Sequence, residues 1–299
     1  MSCGEDLKPP ILTTENLTKD YGPVRALDAL SLAIAPGEVV GLLGPNGSGK
    51  TTALRLVLGF LRPTAGTARV DGFDCWTRSV EVRRRVSYLP GELRLYEGMT
   101  GRTLVRFLGD LRAQPVGPEA DTLARQLDID LDMPLARMSS GMKRKVALVA
   151  VLVPRVPLVL LDEPTNTLDP TMRDELIRQL RVAKEEGKAV LFSSHVLPEV
   201  EAVCDRVLIL KQGKLVHEQR MEELQEGRHV SASLRGPPPV AGPQGEALPE
   251  GAVVEGRLSF DYRGPLPDLF SWLAGQSLSD IRVAPMGLAP IYKAYHTAG

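Results

Sequence analysis

The sequence predicts an α/β fold: a core built on a parallel sheet around a phosphate-binding loop, a helical subdomain inserted into that core, and a small C-terminal α+β module. Three observations predict it. A short apolar run, Glu38 to Leu43, leads straight into Gly44-Pro45-Asn46-Gly47-Ser48-Gly49-Lys50-Thr51 and then into apolar residues at helical spacing. Two more apolar runs, each ending in polar residues, flank a helical pattern. Past residue 225 the pattern changes to alternating strands around a Pro/Gly-rich stretch.

Taken in order, the run to Leu43 reads as a strand, the glycines as a loop, and Ala53, Leu54, Leu56, Val57 and Leu58 as the buried face of a helix. Residues of about 93–153 are mostly helical in pattern and offer no central strand, so they form the inserted subdomain. Leu158 to Leu161 ends in Asp162-Glu163-Pro164, and Ala189 to Phe192 ends in Ser193-Ser194-His195. With the helical pattern from Arg173 to Lys184 between them they make a βαβ unit, which requires parallel strands and a right-handed crossover. The first domain is therefore expected over 11–225 and the accessory module over 226–299. Within the module, Val230-Ala232-Leu234 and Val254-Leu258-Phe260-Tyr262 alternate as half-buried strands, separated by a loop at 236–251. Leu266, Leu269, Phe270 and Leu273 mark a helix, Leu278 to Val283 a last strand, and Ala289 to Tyr295 a last helix.

Bulk composition narrows the function classes. The 299 residues are 43% hydrophobic and 24% charged, ordinary for a folded chain, and the net charge of -1 supplies no general attraction to nucleic acid or anionic lipid. Cys3, Cys75 and Cys204 are odd in number and show no metal-ligand spacing, which fits a reducing compartment. Glu5 and Asp6 stand where a secretory signal carries positive charge. The most apolar stretch, Val146 to Leu161, is broken by Pro154, Arg155 and Pro157, so no membrane span is expected.

The segment Gly44 to Thr51 satisfies G-x-x-x-x-G-K-[ST] between a strand and a helix, which makes the core that of a P-loop NTPase. Glycines let backbone N–H groups approach phosphate, the helix N-terminus favours its charge, and Lys50 adds a cation at the β/γ-phosphates. Thr51 is placed to ligate Mg²⁺. Asp162, at the end of a buried strand, is its natural partner on the metal, since a carboxylate there is costly unless it serves a cation. Glu163 beside it can orient and deprotonate an attacking water.

The order and spacing of these motifs over about residues 11 to 220 resemble the ATPase domains of ABC transporters. The resemblance implies that Tyr21, in Lys19-Asp20-Tyr21-Gly22, stacks on adenine, and that Thr52 joins Gly44 to Thr51 in holding the nucleotide. Met138-Ser139-Ser140-Gly141-Met142 stands at the family's signature position, keeping the serine and one glycine of L-S-G-G-Q as Ser139 and Gly141. Asp169 falls in the D-loop and His195 at the switch histidine that contacts the γ-phosphate. The clearest departure is Tyr88-Leu89-Pro90-Gly91-Glu92, where the family's Q-loop glutamine aligns with Gly91. Its neighbour Glu92, or a water held by it, is the candidate substitute; a solvated loop charge is the alternative.

The same resemblance implies ATP and Mg²⁺ as ligands, catalysis by Lys50, Glu163 and His195, and a two-fold pair in which Ser139 and Gly141 of one subunit close over nucleotide held by the other. It further implies an integral membrane permease as partner, a place at the cytoplasmic side of the cell membrane through that partner, and no nucleic acid. The ending from Gly287 to Tyr295 is similar to the tail of bacterial drug- and antibiotic-exporter ATPases, which points to export; a dimer-stabilising appendix is the other reading of the module. The rival function is a soluble relative acting on ribosomes or DNA, although such proteins usually carry two cassettes or a long coiled-coil insertion.

Overall fold

Strands β1 (Leu12–Tyr21) and β2 (Val24–Ile34) open the chain of the computed structural model, which describes residues 9–296. Cys3, Glu5 and Asp6 lie outside the described residues. After them come β3 (Val39–Leu43), α1 (Lys50–Val57), β4 (Ala65–Val70), β5 (Phe73–Asp74), α2 (Ser79–Arg85) and β6 (Val86–Leu89). The helical stretch follows as α3 (Gly101–Leu111), α4 (Pro118–Gln126) and α5 (Ser140–Leu152), and the chain returns through β7 (Leu158–Asp162), α6 (Pro170–Glu185), β8 (Ala189–Ser194), α7 (Leu197–Val203), β9 (Arg206–Lys211) and β10 (Lys214–Arg220).

The central sheet has the order β10-β9-β3-β8-β7-β6, and β9, β3, β8, β7 and β6 pair in parallel. Every residue of β3, β7 and β8 is buried, which is why these strands read as continuous apolar runs rather than alternating ones. Leu42, Leu54, Leu56, Leu160 and Leu191 belong to one core that also takes in Leu12, Leu27 and Ile34. The second sheet, β2-β1-β4-β5, is antiparallel and was not visible in the sequence pattern. Register shifts along β1 and left-handed backbone at Asn16 and Ala29 break the two-residue alternation that would have announced it.

The chain divides into two compact units between Glu218 and Gln219, earlier than the expected 225/226. The shift has a local cause: the Gln219 side chain donates to Arg220 O and to Glu223, and α8 (Met221–Glu226) packs against a strand of the second unit. That unit continues as β11 (Arg228–Leu234), β12 (Val253–Val254), β13 (Arg257–Tyr262), α9 (Leu266–Ala274), β14 (Leu278–Pro285) and α10 (Leu288–His296), with sheet order β12-β13-β11-β14. Val254 is not part of the strand that carries Leu258. Glu255 and Gly256 both have positive φ and form a two-residue hairpin turn that pairs Val254 with Arg257. The core of this unit gathers Val230, Leu258, Phe260, Tyr262, Leu269 and Leu273, one face of the sheet against α9.

Candidate active site

Parallel register brings the chemistry-bearing residues to one end of the central sheet. Leu43 pairs with Ser194 and Asp162 with Ser193, so the loop after β3 and the ends of β7 and β8 emerge side by side. The loop turns on two strained glycines. A Cβ on Gly44 (φ 156) would lie 2.5 Å from Leu210 O, and one on Gly49 (φ 104) 2.6 Å from Ala26 O. Gly49 starts α1 without any side-chain cap, so the N–H groups of the first turn are not taken by a side chain.

Lys50 is only 6% exposed. Its Nζ donates to Gly44 O (2.6 Å) and Pro45 O (3.2 Å) and lies 3.5 Å from Glu163 Oε1. Thr51 Oγ1 donates to Asp162 Oδ2 at 2.8 Å, and the other oxygen of Asp162 accepts from Ser193 Oγ at 2.7 Å. Ser193 Oγ in turn accepts the Glu163 N–H at 2.9 Å. Glu163 sits in left-handed backbone (φ 48), strain that these bonds hold in place, and its Oε2 meets His195 Nδ1 at 2.7 Å. Thr51, Asp162, Ser193, Glu163 and His195 are thus one continuous polar chain, with Lys50 beside it. Ser48 Oγ and Glu163 Oε1 are both buried and make no hydrogen bond, so acceptor and donor capacity is left over in and beside the loop.

The other expected residues are not members of this polar chain. Tyr21 is at the turn between β1 and β2, 46% exposed, with Lys19 Nζ 5.3 Å from its ring centre. Ser139 caps α5 by accepting the Met142 N–H, and Asp169 caps α6 by accepting the Met172 N–H. A Cβ on Gly141 would stand 3.1 Å from Thr167 O, so the signature turn closely approaches the turn before Asp169 of its own chain. Pro45, Asn46, Gly47 and Thr52 belong to the loop and the first turn of α1. Glu92 does not reach the metal side: its side chain is 92% exposed and its nearest charge is Arg94, at 3.9 Å. The solvated-charge reading holds for this residue, because the loop after Gly91 carries it outward.

Two residues of the site were missed. Ser193 was read only as the end of a strand, and its signal was available, since a hydroxyl directly after an apolar run has to find a partner. Arg144, 3% exposed on α5, donates to the carbonyls of Gly91 (2.9 Å), Pro164 (3.1 Å), Asp162 (3.2 Å) and Glu163. Burial pulls its pKa down, and the charges of Asp162 and Glu163 offset only part of that. The same Asp162 charge, after burial, helps push the Tyr88 phenol up to about 12, so Tyr88 stays neutral.

Comparison with known proteins gives the family. A family profile described as ABC transporter matches residues 27–166. The ATP-binding protein NatA of Bacillus subtilis (strain 168) is 37% identical over 212 residues, 68% of this chain and 85% of that protein. The chain belongs to the ABC transporter ATP-binding proteins. It is the ATP-binding, ATP-hydrolysing subunit of an ABC transporter. The daunorubicin/doxorubicin resistance ATP-binding protein DrrA of Streptomyces peucetius is 34% identical over 71% of this chain and 66% of its own length. Among solved structures, an ATP binding subunit of an ABC transporter matches with TM-score 0.67 and 27% identity over 72% of this chain and 92% of its own. The fold alone is shared with a post-hydrolysis state of the cassette MJ0796 bound to ADP and Pi, at TM-score 0.63 and 23% identity over 70% of this chain and 98% of its own.

Proposed function

We propose that this subunit hydrolyses Mg²⁺-bound ATP at the Lys50–Glu163–His195 cluster and that the cycle drives export through a separate permease. The observation that carries the reading is the polar chain from Thr51 to His195, which aligns a cation, a metal-type oxygen pair and a carboxylate at the mouth of the glycine loop. The residues fit the ligand. A threonine hydroxyl and an aspartate oxygen 2.8 Å apart are hard oxygen donors of the kind Mg²⁺ takes alongside substrate phosphates. The unbonded Ser48 Oγ and Glu163 Oε1 have capacity for a phosphate oxygen and a water.

Bound with the nucleotide, Mg²⁺ neutralises charge on the phosphates, and Thr51 and Asp162 would hold it. Lys50 exchanges its loop carbonyls for phosphate oxygens. Glu163 takes the proton of the attacking water, and His195 orients that carboxylate and contacts the γ-phosphate. Tyr21 stacks on the base. Ser139 and Gly141 serve a second subunit's nucleotide, and Asp169 lies at the same contact, so two copies close over two ATP molecules and hydrolysis reopens them. Among the described residues no helix is long and apolar enough to cross a membrane, and the pore is assigned to an integral permease that holds this subunit at the cytoplasmic face. The names of DrrA and of the Nod factor export ATP-binding protein I of Paraburkholderia xenovorans, 36% identical over 210 residues, support the direction of transport.

The test is Glu163→Gln. ATP binding is retained, turnover falls by roughly 10²–10⁴-fold, and the variant dimerises with ATP and Mg²⁺ on a sizing column. Turnover at the wild-type rate refutes the assignment of the base.

A further inference from the structure

Directly behind the Glu163–His195 pair lies a second carboxylate that the hydrolytic reading does not use. Glu199, on α7, is 6% exposed. One of its oxygens, Oε2, accepts from Thr165 Oγ1 at 2.8 Å and from Ser194 Oγ at 3.2 Å. The other, Oε1, makes no hydrogen bond and has Arg173 Nε at 3.8 Å. Burying a carboxylate is costly, and two hydroxyls with one distant guanidinium are modest compensation for a purely structural role.

The value of the arrangement lies in which residues it joins. Thr165 is two positions after Glu163, and Ser194 immediately precedes His195. The segment after β7 is also held by Arg144, which donates to Glu163 O and Pro164 O, and by the Glu163 N–H bond to Ser193 Oγ, but none of these reaches the residue next to His195. The turn from Glu163 to Thr167 carries two non-glycine residues with positive φ, 48 at Glu163 and 70 at Thr167, and Ser194 Oγ also accepts the Val196 N–H at 3.0 Å. Arg173 adds a third arm, donating to Leu168 O at 3.2 Å while facing Glu199. Asp162 pairs with Ser193, and Ser193 Oγ bridges Asp162 and the Glu163 N–H; Glu199 Oε2 adds a further link past the strand ends, from Thr165 to the residue before His195. The two segments so linked are the ones that carry the 2.7 Å contact between Glu163 and His195.

We propose that Glu199 is a positioning residue for hydrolysis, holding Thr165 and Ser194 in register so that Glu163 and His195 meet; this rests on the assignment of those two residues above. Because the oxygen that does the joining accepts both bonds, an amide oxygen with two lone pairs can replace it. Glu199→Gln is thus the conservative variant, and Glu199→Met fills the space without any acceptor.

The experiment measures steady-state ATP hydrolysis of the full chain for both variants, with Glu163→Gln as control, and follows the ring signals of the four histidines by NMR. In Glu199→Met, kcat is expected to fall by roughly 10–100-fold with KM for ATP within about twofold, as a small misplacement of reacting groups predicts. The His195 ring signal shifts while the other three hold, and Glu199→Gln recovers most of the rate. If Glu199→Met does not fold, Thr165→Val removes the stronger of the two bonds while keeping the Ser194 turn, and carries the same expectations. A Glu163→Gln control that loses turnover while Glu199→Met, or Thr165→Val in its place, keeps kcat and an unmoved His195 signal overturns the proposal alone. A control that still turns over overturns the underlying assignment and the proposal with it.

Discussion

Replacing Gly91 by glutamine restores the side chain that the family carries there, and the structure says what it meets. A Cβ at position 91 stands 3.5 Å from Asp162 Oδ2 and 3.6 Å from Asp162 Cγ and O, ordinary van der Waals distances, and Gly91 is not among the residues with positive φ. The bond that matters for the loop, Arg144 Nη1 to Gly91 O at 2.9 Å, is made by the backbone and survives the substitution. Filling a compatible glycine position restricts the unfolded chain and stabilises by about 0.4–1 kcal/mol. For a domain of this size that is a rise in Tm of about 1–4 °C. Gly91→Ala captures this backbone effect without the amide. Any further change in Gly91→Gln belongs to the carboxamide beside Asp162, where, on the proposed Mg²⁺ site, one added hydrogen bond would be worth about 0.5–1.5 kcal/mol, a factor of roughly 2–12 in affinity. The assay is ATP hydrolysis against Mg²⁺ concentration for wild type and both variants. The half-saturating Mg²⁺ is expected to fall only in Gly91→Gln. A Tm several degrees below wild type in either variant, or the same Mg²⁺ dependence in alanine and glutamine, refutes the reasoning.

Three other outcomes follow from the same coordinates. Glu92→Ala leaves rate, Mg²⁺ dependence and Tm unchanged, because an exposed charge 3.9 Å from an equally exposed arginine contributes little; a loss of rate would restore Glu92 as the glutamine's substitute. Arg144→Met strands carbonyls of Gly91, Asp162, Glu163 and Pro164, and is expected to cost roughly 2–5 kcal/mol by denaturant unfolding, whereas a change under about 1 kcal/mol would mean the network relaxes freely. Burial, then the Asp74 charge, pushes the Cys75 thiol up to about 12, so the folded state favours the neutral thiol. At pH 8 the thiol therefore stays neutral, and native Cys75 resists maleimide until the chain is unfolded. The linked stability is intact below the thiol's unfolded pKa, about 8.5, and is lost as pH climbs from there toward 12; Cys75→Ser should flatten that alkaline decline.

The parts of the fold that were legible are those where burial is uniform. β3, β7 and β8 are covered on both faces, so each is an unbroken apolar run, and each ends where polar residues must face the ligand. β11 and β13 are covered on one face and alternate cleanly. The antiparallel sheet was illegible because its bulges shift the alternation, and β6 because its four residues follow three arginines and include the buried Ser87. At the site, Lys50, Thr51, Asp162 and Glu163 were readable from one loop and one strand end. Arg144 and Glu199 were not, since Arg144 bonds carbonyls 18 to 53 positions away and Glu199 reaches Thr165 across 34, pairings that no local pattern encodes; Ser193 was signalled only as a hydroxyl ending an apolar run, with nothing local to name its partners.

Arg144 also bears on how a chain without the Q-loop glutamine keeps its parts in step. Its guanidinium hydrogen-bonds to carbonyl groups and to no carboxylate, and the carbonyls come from the loop after β6 and from the turn after β7, while Arg144 itself sits in the first turns of α5, five positions past Ser139. Backbone acceptors do not depend on which side chain stands at residue 91. A displacement of Pro90–Gly91 is therefore felt at Asp162–Pro164 and at the start of α5 whether the residue is glycine or glutamine. On the Mg²⁺ site proposed above, a side chain at residue 91 would add a contact on the metal side, which backbone cannot supply. The two functions of that position are physically separable here, and this is why Gly91→Gln is expected to change the Mg²⁺ requirement while leaving the mechanical link through Arg144 as it is.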